Sequence, residues 1–83
     1  MAIDYRRLRS VTPRKLIAAL ERDGFYFARQ KGSHQRFHHP DGRRVTVAPH
    51  GSGDTFKIKT LRSIIELQAG WTDEDLNRLG LFE

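Results

Sequence analysis

The run Lys31-Gly32-Ser33-His34-Gln35-Arg36 brings together a flexible turn, a hydroxyl, an imidazole and two cations. Those parts suit phosphate chemistry. Backbone N–H groups near Gly32 could approach a phosphate closely, Ser33 could hydrogen-bond it, and Lys31 and Arg36 could offset its charge. An imidazole titrates near neutrality, so His34 could take the proton from a ribose 2′-OH or return one to a departing 5′-oxygen without a metal ion. That chemistry requires RNA rather than DNA. Taken alone, the Gly32-Ser33-His34 tripeptide reads first as an ordinary connection between strands.

Other residues admit two readings each. His50, after Pro49, could supply a complementary acid or base, or instead a phosphate contact or a turn residue. His38 and His39 are adjacent, so in a strand they point to opposite faces and cannot readily share one metal. With no cysteine and no well-spaced carboxylate to join them, no metal site and no cofactor are expected. Arg6, Arg7, Arg9, Arg14 and Lys15 form a basic block that could grip an RNA backbone by counterion release, or simply be a solvated face. Trp71, directly after Gly70, is expected to pack the last segment onto the core rather than stack on a base.

The elements that must position these groups are legible from periodicity and turn chemistry. Thr12 before Pro13 reads as a helix cap, Leu16, Ile17 and Leu20 give one apolar face, and Gly24 supplies a stop, so a helix is predicted over about 13–22. Phe25, Tyr26 and Phe27 open a strand that ends at Arg29 and Gln30, with Phe25 and Phe27 inward and Tyr26 outward. Lys31-Gly32-Ser33 turns the chain into a second strand, His34 to His39, which stops at Pro40-Asp41-Gly42. If Phe37 faces the core, His34, Arg36 and His38 lie on the opposite, solvent-facing side.

A third strand, Arg43 to Ala48, alternates Val45 and Val47 with Arg44 and Thr46. A glycine-rich loop, His50 to Asp54, then leads to a second helix over about 60–69, capped by Thr60 and carrying Leu61, Ile64, Ile65 and Gln68. Thr72 with Asp73, Glu74 and Asp75 caps a short third helix with Leu76 and Leu79 on its apolar side. The expected fold is therefore α+β: helix, three-stranded antiparallel sheet, helix, with both helices on one face of the sheet and a short C-terminal helix. The other face stays open to a partner.

Eighty-three residues fit one domain, here a core of about 12–70 with a basic N-terminal extension, 1–11, and a C-terminal helical extension, 71–83. So small a chain has little room for an enclosed cofactor pocket, and any active site should be shallow. The absence of cysteine makes the cytoplasm the default compartment. Met1 to Arg9 has no apolar run behind it, unlike a signal peptide, and no segment approaches membrane-spanning length. A formal charge of +5 favours a polyanionic partner, although solubility alone would also account for it.

A longer series narrows these readings. Leu16 to Leu20 ahead of Asp23-Gly24-Phe25, then Gln30-Lys31-Gly32-Ser33-His34, His39-Pro40-Asp41-Gly42-Arg43-Arg44-Val45-Thr46-Val47, Pro49-His50 and Leu61-Arg62-Ser63-Ile64-Ile65 together resemble the HicA toxin family in order and spacing. The resemblance covers roughly Pro13 to Leu76. It implies a double-stranded-RNA-binding-like fold and a toxin that cleaves messenger RNA without a metal, with His34 as its histidine and Gly32 and Ser33 shaping its surroundings. Lys57 and Lys59 resemble in placement the phosphate-gripping lysines of double-stranded-RNA-binding domains, where a helix N-terminus also favours phosphate. A cognate HicB-type antitoxin is implied as well. The stretch before Thr12 and the acidic tail after Gly70 depart from the simplest family pattern and leave the antitoxin interface open. The alternatives are a non-catalytic RNA-binding module of the same fold and a protein-interaction domain that docks an acidic partner.

Overall fold

The computed structural model describes residues 3–48 and 56–82. A 3-10 turn, Tyr5–Leu8, comes first; the Asp4 side chain caps it by accepting from the Arg6 amide. Helix α1, Pro13–Arg22, follows, with the Thr12 hydroxyl accepting from the Lys15 amide and proline at its first position. The helix ends where Gly24 takes φ +104°, a left-handed conformation that glycine adopts without a side-chain penalty. Leu16, Ala19 and Leu20 form its buried stripe, and Arg14, Lys15 and Glu21 stay exposed, as the apolar spacing requires.

Strands β1 (Tyr26–Lys31), β2 (His34–His38) and β3 (Arg44–Val47) form one antiparallel sheet in the order β1-β2-β3. Phe37 lies opposite Val45, and Gln35 opposite Val47. Phe37, Val45 and Val47 are buried while Arg36 and Arg44 are exposed, so one face packs and the other meets solvent. Helix α2, Ile58–Arg62, continues without a break as a π-helical segment, Ser63–Gln68, and this unit packs beside β3. Helix α3, Asp73–Arg78, begins with a capping box in which Thr72 and Asp75 satisfy each other's backbone N–H groups.

Leu16, Leu20, Leu61, Ile64 and Ile65 join the apolar sheet face in one core cluster, so the helices before and after the sheet bury against the same side. Tyr5, Leu8 and Val11 belong to that cluster, as do Trp71, Leu76, Leu79 and Leu81. Both ends of the chain therefore contribute apolar area to the core, which is how a short chain enlarges the small fraction of surface it can bury.

Several boundaries differ from expectation. Phe27 pairs with Phe37 and meets it edge-on at 5.8 Å, yet it remains 53% exposed. It stands on the outer strand, away from the helix that packs on β3, so the expected burial of Phe27 does not occur. Strand β3 begins at Arg44 because Arg43 turns aside to pair with Asp23 and Asp41. The second helix starts at Ile58 after Lys57, with no side-chain cap, so Thr60 lies inside the helix rather than capping it. Trp71 packs as expected: it is 3% exposed.

Candidate functional site

Gly32 and Ser33 make a two-residue turn between Lys31 and His34, which lie opposite each other in the register of β1 and β2. Gly32 has φ +60° and Ser33 does not have positive φ, the pattern of a type II′ hairpin turn, whose twist suits the flanking strands. A Cβ on Gly32 would meet nothing within 4 Å, so backbone conformation rather than crowding makes glycine the residue of choice there. The Gln30 side-chain Nε2 donates to the Gly32 carbonyl at 2.9 Å and stiffens the turn from one side.

His34 begins β2 on the solvent face and is exposed. It also forms one wall of a cleft of roughly 530 Å³, whose other walls are Thr46 and Ala48 at the end of β3, Phe56, Lys57 and Thr60 from α2 and its approach, and Ile64 and Gln68 from the π-helical segment. Neither ring nitrogen of His34 has a hydrogen-bond partner among the described residues, and the same holds for the Ser33 hydroxyl. Both are left open to a ligand. Among the described residues no group of three or more His, Cys, Asp or Glu is arranged to hold a metal ion.

Gln68 sets the spacing of the cleft. Its Oε1 accepts the Thr46 backbone N–H at 2.9 Å, and its Nε2 donates to the Ser63 hydroxyl at 3.2 Å. Thr46 lies on an edge strand whose outward N–H groups need partners, and Gln68 supplies one while tying the helix to the strand. The apolar spacing of the second helix includes Gln68, but nothing in that spacing marks this contact.

The expected site residues divide into groups. His34 and Lys57 share the cleft. Lys31 stands opposite His34 in the register, and Arg36 lies two residues further along the same face of β2. Lys59 is exposed on α2 and does not line the cleft. His50 lies outside the described residues. His39 is drawn inward: its Nε2 is 2.7 Å from the Asp23 carbonyl oxygen, its Nδ1 accepts the Asp41 amide at 3.1 Å, and its ring meets Phe25 edge-on. It braces the turns around the sheet and is not available to the cleft.

A second polar centre has no counterpart in the sequence reading. The Asp23 carboxylate accepts from Trp71 Nε1 at 2.9 Å, Arg43 Nη1 at 3.1 Å and Arg78 Nη2 at 2.8 Å. Burial pushes the carboxyl up, but the hydrogen bonds from Trp71 and Arg78 and the charge of Arg43 outweigh it and hold the group below the usual carboxylate range. Arg43 also donates to the Ala69 carbonyl at 2.7 Å, so this centre joins α1, the β2–β3 turn and the end of the π-helical segment. The only sequence signal was the short Asp23-Gly24 helix stop, which says nothing of partners so distant in the chain.

A helix, a three-stranded antiparallel sheet and a second helix, with a histidine presented by the first hairpin turn at a cleft that Lys57 also lines, define a small α+β domain. The model of the family described as HicA toxin of bacterial toxin-antitoxin matches residues 13–71, more than two thirds of the chain, and the chain belongs to that family. It is therefore the toxin member of a toxin-antitoxin system, and the family implies an antitoxin partner. No curated protein gives a significant match. Among the described residues no helix is long and apolar enough to cross a membrane.

Proposed function

We propose that this toxin is a metal-independent endoribonuclease that cleaves messenger RNA in the cytoplasm, so inhibiting translation and growth, with His34 as its catalytic acid-base group. The observation that carries the reading is the exposed imidazole of His34 in a cleft it shares with Lys57. His34 takes the proton of a ribose 2′-OH; the freed oxygen attacks the adjacent phosphorus, the bond to the 5′-oxygen breaks, that oxygen takes a proton from water, and the His34 imidazolium returns its own proton to solvent. A 2′,3′-cyclic phosphate and a 5′-hydroxyl result. Lys57 and Lys31 offset the charge that builds on the phosphoryl oxygens, the backbone at Gly32 and the Ser33 hydroxyl hold the phosphate, and Arg36 and Lys59 contact the strand on either side. His50 is proposed as an additional phosphate contact.

One observation favours a non-catalytic RNA-binding module instead: no described residue hydrogen-bonds His34 to fix its tautomer, whereas catalytic imidazoles are commonly oriented by a second group. Product chemistry separates the two. Labelled single-stranded RNA incubated with the purified protein in excess EDTA is expected to yield fragments ending in cyclic phosphate. Bound but intact RNA would overturn the ribonuclease reading in favour of the binding module. The HicB-type antitoxin is proposed to act by covering the His34 cleft, its approach accelerated by an acidic surface complementary to this +5 chain.

A further inference from the structure

We infer that the open face of the sheet is a track for single-stranded RNA that leads to His34; this rests on the ribonuclease reading and adds to it the path of the substrate. The inference starts from an irregularity in β1. Phe27 pairs with Phe37 and Arg29 with Arg36, so Ala28 is an extra residue, a β-bulge. In an unbroken strand Arg29 and Lys31 would share the face of Phe27. The bulge moves both onto the opposite face, in register with Arg36 and His34.

Three rungs result across the open face. At one end Tyr26, His38 and Arg44 stand side by side, with the Tyr26 and His38 rings edge-on at 6.1 Å. Arg29 and Arg36 face each other in the middle, and Lys31 and His34 at the far end. From His38 to His34 the face runs about 14 Å at the usual rise of an antiparallel strand.

Like charges directly opposite one another across a sheet are destabilising. Here Arg29 opposes Arg36, no strand residue carries a carboxylate, and none of Arg29, Lys31, Arg36 or Arg44 has an ion-pair partner among the described residues. Elsewhere Arg6 pairs with Asp4, Arg43 with Asp23 and Asp41, Arg62 with Glu66, and Arg78 with Asp23 and Asp75, whereas Arg7, Arg9, Arg14 and Arg22 have no ion-pair partner among the described residues but do not oppose another cation across a sheet. Unpaired cations facing one another call for a polyanion, and the exposed Tyr26 ring offers the stacking surface that single-stranded RNA binders combine with such a groove. An acidic protein would meet the charge but leave the ring and the alignment on the His34 cleft without a use.

The test uses the full chain carrying His34→Ala, so that labelled single-stranded RNA binds without cleavage, with affinity measured across a salt series. Adding Arg29→Ala and Arg44→Ala is expected to weaken low-salt binding by at least about tenfold and to flatten the log–log salt slope by about 1.4, at about 0.7 per lost phosphate contact. Tyr26→Leu should weaken binding several-fold with the slope unchanged. Circular dichroism checks that these exposed substitutions leave the fold intact. If Arg29→Ala/Arg44→Ala binds as the parent does while Arg9→Ala/Arg14→Ala loses affinity, the RNA runs along the N-terminal block and the open-face track is wrong, although the ribonuclease reading stands. If the parent binds no RNA at low salt and the wild type cleaves none, both are wrong, and loss of antitoxin binding in Arg29→Ala/Arg44→Ala would then mark the face as a protein dock.

Discussion

Gln68 Oε1 accepts the backbone N–H of Thr46 at 2.9 Å, a bond that joins the free edge of β3 to the helix forming the far wall of the His34 cleft. The cleft is thus a gap between a strand edge and a helix held at a set distance by one side chain. The residues that border the cleft come from three separate stretches of chain, and a long-range hydrogen bond keeps them in register.

Replacing Gln68 by leucine removes the acceptor and is expected to cost about 1–2 kcal/mol, since an edge-strand N–H is left facing a partly buried apolar group. As a positioning residue Gln68 should also affect turnover: kcat falls without a proportionate rise in KM. Gln68→Glu, which keeps an acceptor for the Thr46 N–H, should restore much of the turnover. Thermal melts together with a kcat–KM split check this, and stability loss without any change in kcat would confine Gln68 to a structural role.

Asp23→Asn is expected to destabilise the fold by about 2–4 kcal/mol, the lower part of the range for breaking a buried ion pair because Arg78 is largely exposed. The pH dependence follows from the depressed carboxyl. Its stabilisation is fully present above the ordinary carboxylate value of 3.8 and is lost as pH falls through the lower folded-state value. Wild-type stability should therefore decline as the solution is acidified below about pH 4, with a shallower decline for Asp23→Asn, as measured by urea unfolding across pH.

Glycine positions should rank by what surrounds them. Gly24→Ala must take φ +104° and place its Cβ 2.8 Å from His39 Nε2, a ring already held by the Asp23 carbonyl. Gly32→Ala must take φ +60° with open space around it. The second is expected to cost about 1 kcal/mol, the first clearly more. Equal melting temperatures for the two variants would contradict the packing described around His39.

Leu8→Ala should cost about 2–5 kcal/mol, the usual range for emptying a fully buried leucine site, because Leu8 is 0% exposed. For the same reason a chain beginning at Thr12, which lacks Tyr5, Leu8 and Val11, should melt well below the full chain.

The helix over 13–22, the alternation of Val45 with Thr46 and the Thr72 cap were legible because each depends on near neighbours in the chain: a cap, a period or a turn residue. His34 was placed on the solvent face by the same alternation, counted from Phe37. What escaped was whatever depends on partners far apart in sequence. Asp23 collects Trp71, Arg43 and Arg78, and Gln68 reaches Thr46, and neither leaves a local trace. The bulge at Ala28 escaped for another reason: one extra residue in a strand does not alter composition, yet it exchanges the faces of every residue after it. Thr60 looked like a cap because threonine so often is one, but the helix had already begun at Ile58 under Lys57.

The most direct test of His34 as the reacting group is the single-turnover cleavage rate of wild type and His34→Ala on the same single-stranded RNA, with both proteins shown to be folded and RNA-bound. Loss of a positioned acid or base lowers the rate by about 10² to 10⁴, and that is the expected drop. His34→Ala protein that cleaves at the wild-type rate would contradict the account and move the chemistry away from His34.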